Sequence, residues 1–185
     1  TDLPLTDSFR GVTAETIKLG VAMLDFQQLY DNGVIDRPFG DLELAYQAAI
    51  DEVNDNGGIL GRQIEAVYDL YFPVGDTEGL DTCIQFTEDE EVFAVLGVIP
   101  GFLTTIIDCI TRDHETVHIG FELNQASIEA AGGLLVTPGI TADRRLDGLL
   151  ALLEQTGDLD GSTVAVFGSQ SEQDRIENAV VPALE

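Results

Sequence analysis

The sequence predicts an α/β fold: a doubly wound, mostly parallel sheet with helices on both faces, followed by an incomplete second α/β lobe. Three observations carry that expectation. Apolar runs of strand character, TIKLGVAML at 16–24 and VFAVLGV at 92–98, alternate with amphipathic helical stretches rather than with other strands. Strand–helix alternation calls for parallel strands joined by crossover helices. After residue 122 the pattern changes, and the single clear strand and two helices that follow are too few to bury their own apolar faces.

The elements follow in order. Residues 16–24 read as a buried strand, with Gly20 inside it where a neighbour approaches closely. Phe39, Leu42, Tyr46, Ala49 and Val53 recur at helical spacing and define one apolar stripe. Gly57-Gly58 supply the left-handed backbone that ends this helix, and QIEAVYDLY at 63–71 returns as a strand. The acids and amides of NDNGG invite comparison with a calcium loop, but the ligand spacing and terminal Glu of such a loop are missing. A second helix over about 76–90 places Leu80, Cys83, Ile84 and Thr87 on one face. A strand at 92–98, a third helix over about 102–113 with Leu103, Ile106, Ile107 and Ile110, and a short strand at 116–121 complete the regular part. Beyond it, LLVTPGI at 134–140 reads as a strand and Thr141 as the N-cap of a helix bearing Leu146, Leu149, Leu150 and Leu153. DLDGSTVAVFGS at 158–169 reads as a turn and a new strand, and a last helix begins near Gln170. Residues 1–140 are thus expected to form a first lobe and 141–185 the start of a second.

Composition narrows the function. The chain has 185 residues, 44% of them hydrophobic, enough for a sizeable core. Its 34 acidic against 8 basic residues give a net charge of −26, spread along the chain. That field repels phosphate backbones and anionic lipid, so neither nucleic acid nor a membrane surface is an expected partner. No apolar run approaches the roughly 18 residues of a membrane span; FAVLGVIPGF at 93–102 is broken by Gly97 and Pro100. No basic-then-apolar targeting segment opens the chain, so an export signal is either removed or absent.

Two cysteines are present, Cys83 and Cys109. With strands in the order 2-1-3-4, the second and third helices lie side by side on one face of the sheet. A disulfide between them is then geometrically feasible and points to an oxidising compartment; two buried thiols are the alternative. A zinc site would need more ligands, and neither His114 nor His118 stands at ligand spacing from a cysteine. No metal or other cofactor is expected.

RGVTAETIKLGVAML, AAIDEVNDNGGILGRQIEAVYD, CIQFTEDEEVFAVLGV and DGSTVAVFGSQSE together resemble the type I periplasmic substrate-binding proteins of ABC transporters, the leucine/isoleucine/valine-binding group. The likeness spans about residues 10–180. It implies a lobe with sheet order 2-1-3-4-5, followed by the truncated opening of a second lobe joined through hinge segments. It also implies an extracytoplasmic protein, periplasmic or at the cell surface and often lipid-anchored, that traps a small molecule between its lobes. The trapped ligand then passes to a membrane permease, with no insertion of this segment into the bilayer. A cysteine pair joining the second and third helices occurs in such proteins, matching Cys83 and Cys109.

In open α/β sheets ligands bind beyond the carboxyl ends of the strands. That rule nominates Asp25, Phe26 and Gln27 after the first strand and Ile99, Pro100, Gly101 and Phe102 after the third. After the fourth it nominates Phe121, Glu122 and Asn124, and in the second lobe Ser169 and Gln170. The backbone N–H groups of the third helix, which starts near Gly101, suit a carboxylate. Each nominee has a plainer role beside this one: Phe102 and Phe121 suit closure of the core, Asp25 suits a helix cap, and Glu122 suits solvent. His114 and His118 fall at the opposite edge of the sheet and read as structural. VIPGFLTT and FELNQ are bulkier and more apolar than the hydroxyl-rich loops of amino-acid binders, which favours an apolar or aromatic carboxylate over a free amino acid.

A catalytic role finds little support. The first strand leads into MLDFQQLYDNG rather than G-x-G-x-x-G, and neither a phosphate-binding G-x-x-x-x-G-K-[ST] nor a G-x-S-x-G elbow occurs. The expected function is therefore non-enzymatic solute capture for an ABC transporter, with a sensor or receptor ectodomain of the same fold as the alternative and an α/β enzyme a more remote one.

Overall fold

The computed structural model describes residues 4–97, 99, 104–120, 125–168, 173 and 176–184. The chain divides into two compact units, Thr1–Gly139 and Ile140–Glu185.

In the first unit, β1 (Thr16–Leu24), β2 (Gln63–Tyr71), β3 (Ala94–Gly97), β4 (Val117–Ile119) and β5 (Leu135–Val136) form one sheet in the order β2-β1-β3-β4-β5. All four pairings are parallel, so every carboxyl end points to the same edge. Thr16 pairs with Gln63 and Leu24 with Tyr71, while Leu19–Ala22 meet Ala94–Gly97. Helices are interleaved or follow: α1 (Phe26–Asp31), α2 (Leu42–Asp55), α3 (Thr77–Ile84), α4 (Thr104–Asp108), α5 (Gln125–Ala130) and, in the second unit, α6 (Ala142–Thr156). The sheet is buried on both faces at its centre, where Val21, Ala22 and Val95 have no exposed surface, as parallel sheets between helix layers require.

The inward face of α2 differs from the expected stripe. Phe39 lies outside the helix and is 60% exposed, and Val53 is also exposed, whereas Ile50 is buried. The face is set by polar contacts to β2. The Asn54 side chain donates to the Ile64 carbonyl (3.0 Å) and accepts from the Ile64 N–H (2.7 Å). Tyr68 donates its hydroxyl to Gln47 (2.8 Å). β2 is an edge strand, and the Asn54 amide stands where a further strand would otherwise pair. The glycine turn after α2 is as expected: Gly58 has φ +69°, and a Cβ there would meet the Arg62 carbonyl oxygen at 1.9 Å.

α3 and α4 each end in a widened turn whose hydrogen bonds run i→i+5, at Gln85–Asp89 and Cys109–Asp113. The first of these turns Phe86 inward and leaves Ile84 exposed. Phe86 lies over Gly20, where a Cβ would come within 2.7 Å of the ring; this is the close approach foreseen in β1. Cys83 and Cys109 are joined in a disulfide with a Cα–Cα distance of 6.4 Å, both side chains within the main core cluster.

In the second unit, α6 is capped as expected: the Thr141 hydroxyl accepts from the Arg144 N–H, and Gly157 ends the helix at φ 70°. The strand expected within 158–169 is not formed over residues 162–168, and Phe167 is 93% exposed. A strand exists only with a ladder partner, and the described residues of this unit supply none. The chain closes with a widened turn at Ile176–Val180 and α7 (Val181–Leu184). Among the described residues no helix is long and apolar enough to cross a membrane.

Candidate functional site

The carboxyl edge of β1 opens directly into α1. Asp25 is the junction: its N–H donates to the Tyr71 carbonyl at the end of β2 (2.9 Å), and its carboxylate accepts from the Gln28 N–H (2.8 Å). It is therefore a helix cap as well as a strand-end residue. The next residue, Phe26, turns back onto Phe39, with ring centroids 4.3 Å apart and planes tilted by 40°. Between them and the start of α2 lies a cavity of about 320 Å³, lined by Met23, Leu24, Asp25, Phe26, Gln27, Phe39, Gly40, Asp41, Leu42, Glu43 and Leu70. That volume is at the lower end of the range for small-molecule sites, roughly 300–1,000 Å³.

The wall is apolar and aromatic with an acidic rim. Asp41 repeats the role of Asp25, capping α2 through the Leu44 N–H (2.9 Å), and Glu43 follows in the first turn. Among the described residues no Lys or Arg lines the cavity. Four cations of this unit are committed to the amino ends of the strands and the helix ends that return to them. Arg62 donates to the Thr13 and Thr6 carbonyls, Arg10 to the His114 carbonyl, Lys18 pairs with Glu90 and Arg112 with Asp108.

A second, smaller apolar hollow of about 70 Å³ lies at the same edge, between Tyr46, Leu96, Gly97, Ile119, Gly120 and Pro138. Burial raises the Tyr46 hydroxyl above its usual pKa.

Of the nominated residues, Asp25, Phe26 and Gln27 stand together on the cavity wall. Ile99 does not offer its side chain to that edge: it is 1% exposed and belongs to the core cluster. A short apolar residue directly after a central strand is drawn under the flanking helices, which the strand-end rule does not distinguish from exposure. Pro100, Gly101, Phe102, Phe121, Glu122, Asn124, Ser169 and Gln170 lie outside the described residues. The sequence reading missed Phe39, Asp41, Glu43 and Tyr46. Phe39 and Tyr46 were visible only as members of a helical stripe, and no periodic signal separates a stripe residue from a cavity wall. His118, by contrast, is buried as a structural residue, and its burial lowers its pKa to about 4.

A doubly wound parallel lobe of order 2-1-3-4-5 is the architecture of type I periplasmic binding proteins. Solved structures bear this out. A substrate-binding protein of an ABC transporter from Desulfitobacterium hafniense matches with a TM-score of 0.60 at 15% identity, over 91% of this chain and 56% of its own. A fatty acid ABC transporter substrate-binding protein from Thermomonospora curvata matches with a TM-score of 0.52 at 20% identity, over 82% of this chain and 36% of its own. A solute-binding protein from R. palustris, solved with 4-hydroxybenzoate, matches with a TM-score of 0.53 at 15% identity, over 77% and 37%. At these identities the likeness establishes the fold, and the chain spans between about a third and just over half the length of those proteins. No protein-family model matches the chain. No curated protein matches it either.

Proposed function

We propose that the chain supplies one ligand-binding wall of an extracytoplasmic solute-binding protein that serves an ABC transporter permease, without catalysis. The observation that carries this reading is the cavity at the carboxyl tip of β1, walled by the Phe26–Phe39 pair. It stands at the edge where open parallel sheets take their ligands, and the three solved relatives with this fold are transport binding proteins.

The wall suits the apolar or aromatic body of a small molecule, amino-acid-like or an aromatic acid. The two tilted rings offer an aromatic surface for a third, worth about 0.5–1.5 kcal/mol beyond area burial. The acidic rim disfavours a carboxylate against Asp25, Asp41 and Glu43, so an anionic end points away from this wall. In such proteins closure of a second wall desolvates the ligand and selects the closed state.

A thermal-shift screen, followed by calorimetry, tests the reading with branched-chain amino acids, aromatic acids and short amides on the longest natural form of the protein. Saturable stabilisation by an apolar or aromatic compound, lost on Phe26→Ala, supports it. A full panel without saturable binding, or binding indifferent to Phe26, overturns it.

A further inference from the structure

The widened turn that ends α4 has a consequence for His114. Five residues along a regular α-helix lie about 140° apart around the axis, so Cys109 and His114 would face different neighbours. Here the His114 N–H bonds to the Cys109 carbonyl (3.1 Å) in the i→i+5 pattern, which returns His114 to the face of Cys109. Cys83 comes to the same place from the end of α3. A ring nitrogen of His114 and the Sγ atoms of Cys83 and Cys109 all lie within 4.8 Å of one another. Glu88, on the widened turn after α3, sets its Oε1 3.7 Å from His114 Nε2. The position of His114 is held from behind: its carbonyl accepts from Arg10 Nη2 (3.0 Å) and from the Thr116 hydroxyl (3.1 Å).

We propose that in the dithiol form Cys83, Cys109 and His114 make a zinc site, mutually exclusive with the disulfide. A phosphine reductant gives up two electrons and takes the oxygen of one water to become its oxide, while the two protons of that water convert the cleaved S–S bond to two thiols. Zinc then displaces both thiol protons and binds two thiolates and a neutral imidazole, with Glu88 or water as fourth ligand. Two sulfurs and one nitrogen are a common zinc set. With water as the fourth ligand, two thiolates, one Zn²⁺ and a neutral imidazole carry no net charge, which suits a position where Cys83 is fully buried and Cys109 is 6% exposed. The ion would join α3 to α4 where the disulfide does so in the oxidised chain, and thiol–disulfide exchange with an added small-molecule disulfide, itself reduced to two thiols, would re-form the bond and release the ion.

The test uses the whole chain, refolded under a phosphine reductant and titrated with Co²⁺ and then Zn²⁺. One Co²⁺ per chain, with thiolate-to-cobalt charge-transfer and tetrahedral ligand-field bands that Zn²⁺ abolishes, is expected. The oxidised chain shows neither band. His114→Ala weakens binding at least about tenfold, the loss that even outer-shell partners produce, while its oxidised form keeps the parent melting temperature. If that variant does not fold, His114→Gln takes its place. A reduced chain without stoichiometric binding, equal binding after oxidation, or His114 variants with parent affinity would each overturn the site.

Discussion

Phe26 meets Phe39 across thirteen positions of chain, bridging the end of β1 and the approach to α2 with ring centroids 4.3 Å apart and planes tilted by 40°. Phe39 is 60% exposed, so little of its ring is committed to the core. Phe39→Ala is therefore expected to change stability by less than about 1 kcal/mol and to weaken an aromatic ligand about tenfold, the equivalent of about 1.4 kcal/mol. Denaturant titration and calorimetry on the same variant separate the two effects. A large loss of stability with unchanged affinity would make the pair a structural contact alone.

Asn54 and Val53 are neighbours with opposite duties. Asn54→Ala removes two hydrogen bonds to Ile64 and leaves both backbone groups of an edge strand unpaired by α2, a loss of about 1–3 kcal/mol. Val53→Ala, on the outer face, is expected to stay within about 0.5 kcal/mol. Hydrogen exchange at the Ile64 amide reads the first directly, and faster exchange in Asn54→Ala alone is the expected pattern.

His118 couples stability to pH. Burial lowers its folded pKa from 6.5 to about 4, against a smaller upward pull from a hydrogen bond to the Val95 backbone, and its Nδ1 has no partner among the described residues. The unfolded chain takes up a proton near pH 6.5 and the folded chain does so only near pH 4. Stability is therefore complete above about pH 6.5 and falls as pH drops toward 4, by about 3 kcal/mol over that window. His118→Leu should remove that part of the slope. A wild-type stability profile that is flat between pH 7 and 4 would contradict the buried neutral imidazole.

The Cys83–Cys109 bridge closes a loop with a sequence separation of 26. Chain-entropy arithmetic gives about 3.5 kcal/mol for such a closure. The double variant Cys83→Ala/Cys109→Ala should lose about that much, read as a lower melting temperature, and should be insensitive to reductant, whereas the parent should drop on reduction. A parent unaffected by complete reduction would show that packing of α3 against α4 holds without the bond.

Much of the first unit was legible because its signals are local. The apolar runs at 16–24 and 92–98 and the Gly58 turn each depend on a few adjacent residues, as does the Thr141 cap in the second unit. Parallel direction followed from that alternation, the strand order from the family resemblance, and Gly20 marked a close approach that Phe86 fulfils. The helix faces were less legible. Val53 and Ile84 matched a helical period yet point outward, because the bonds from Asn54 of α2 to the edge strand β2 and the widened turn before Glu90 rotate the helices from the ideal register. The strand foreseen near Val164 failed for a different reason: a ladder needs a partner, and no stretch of sequence announces whether one is present.

The sequence by itself determined the order of elements and the parallel sheet, since hydrophobic period and turn chemistry act over short range. Tertiary structure decided which side chains share a place: Phe39 beside Phe26, Asn54 beside Ile64, His114 beside the two cysteines. Those meetings join residues between five and thirty-one positions apart. They depend on rotations of a helix by a fraction of a turn, which packing sets and a linear pattern does not encode.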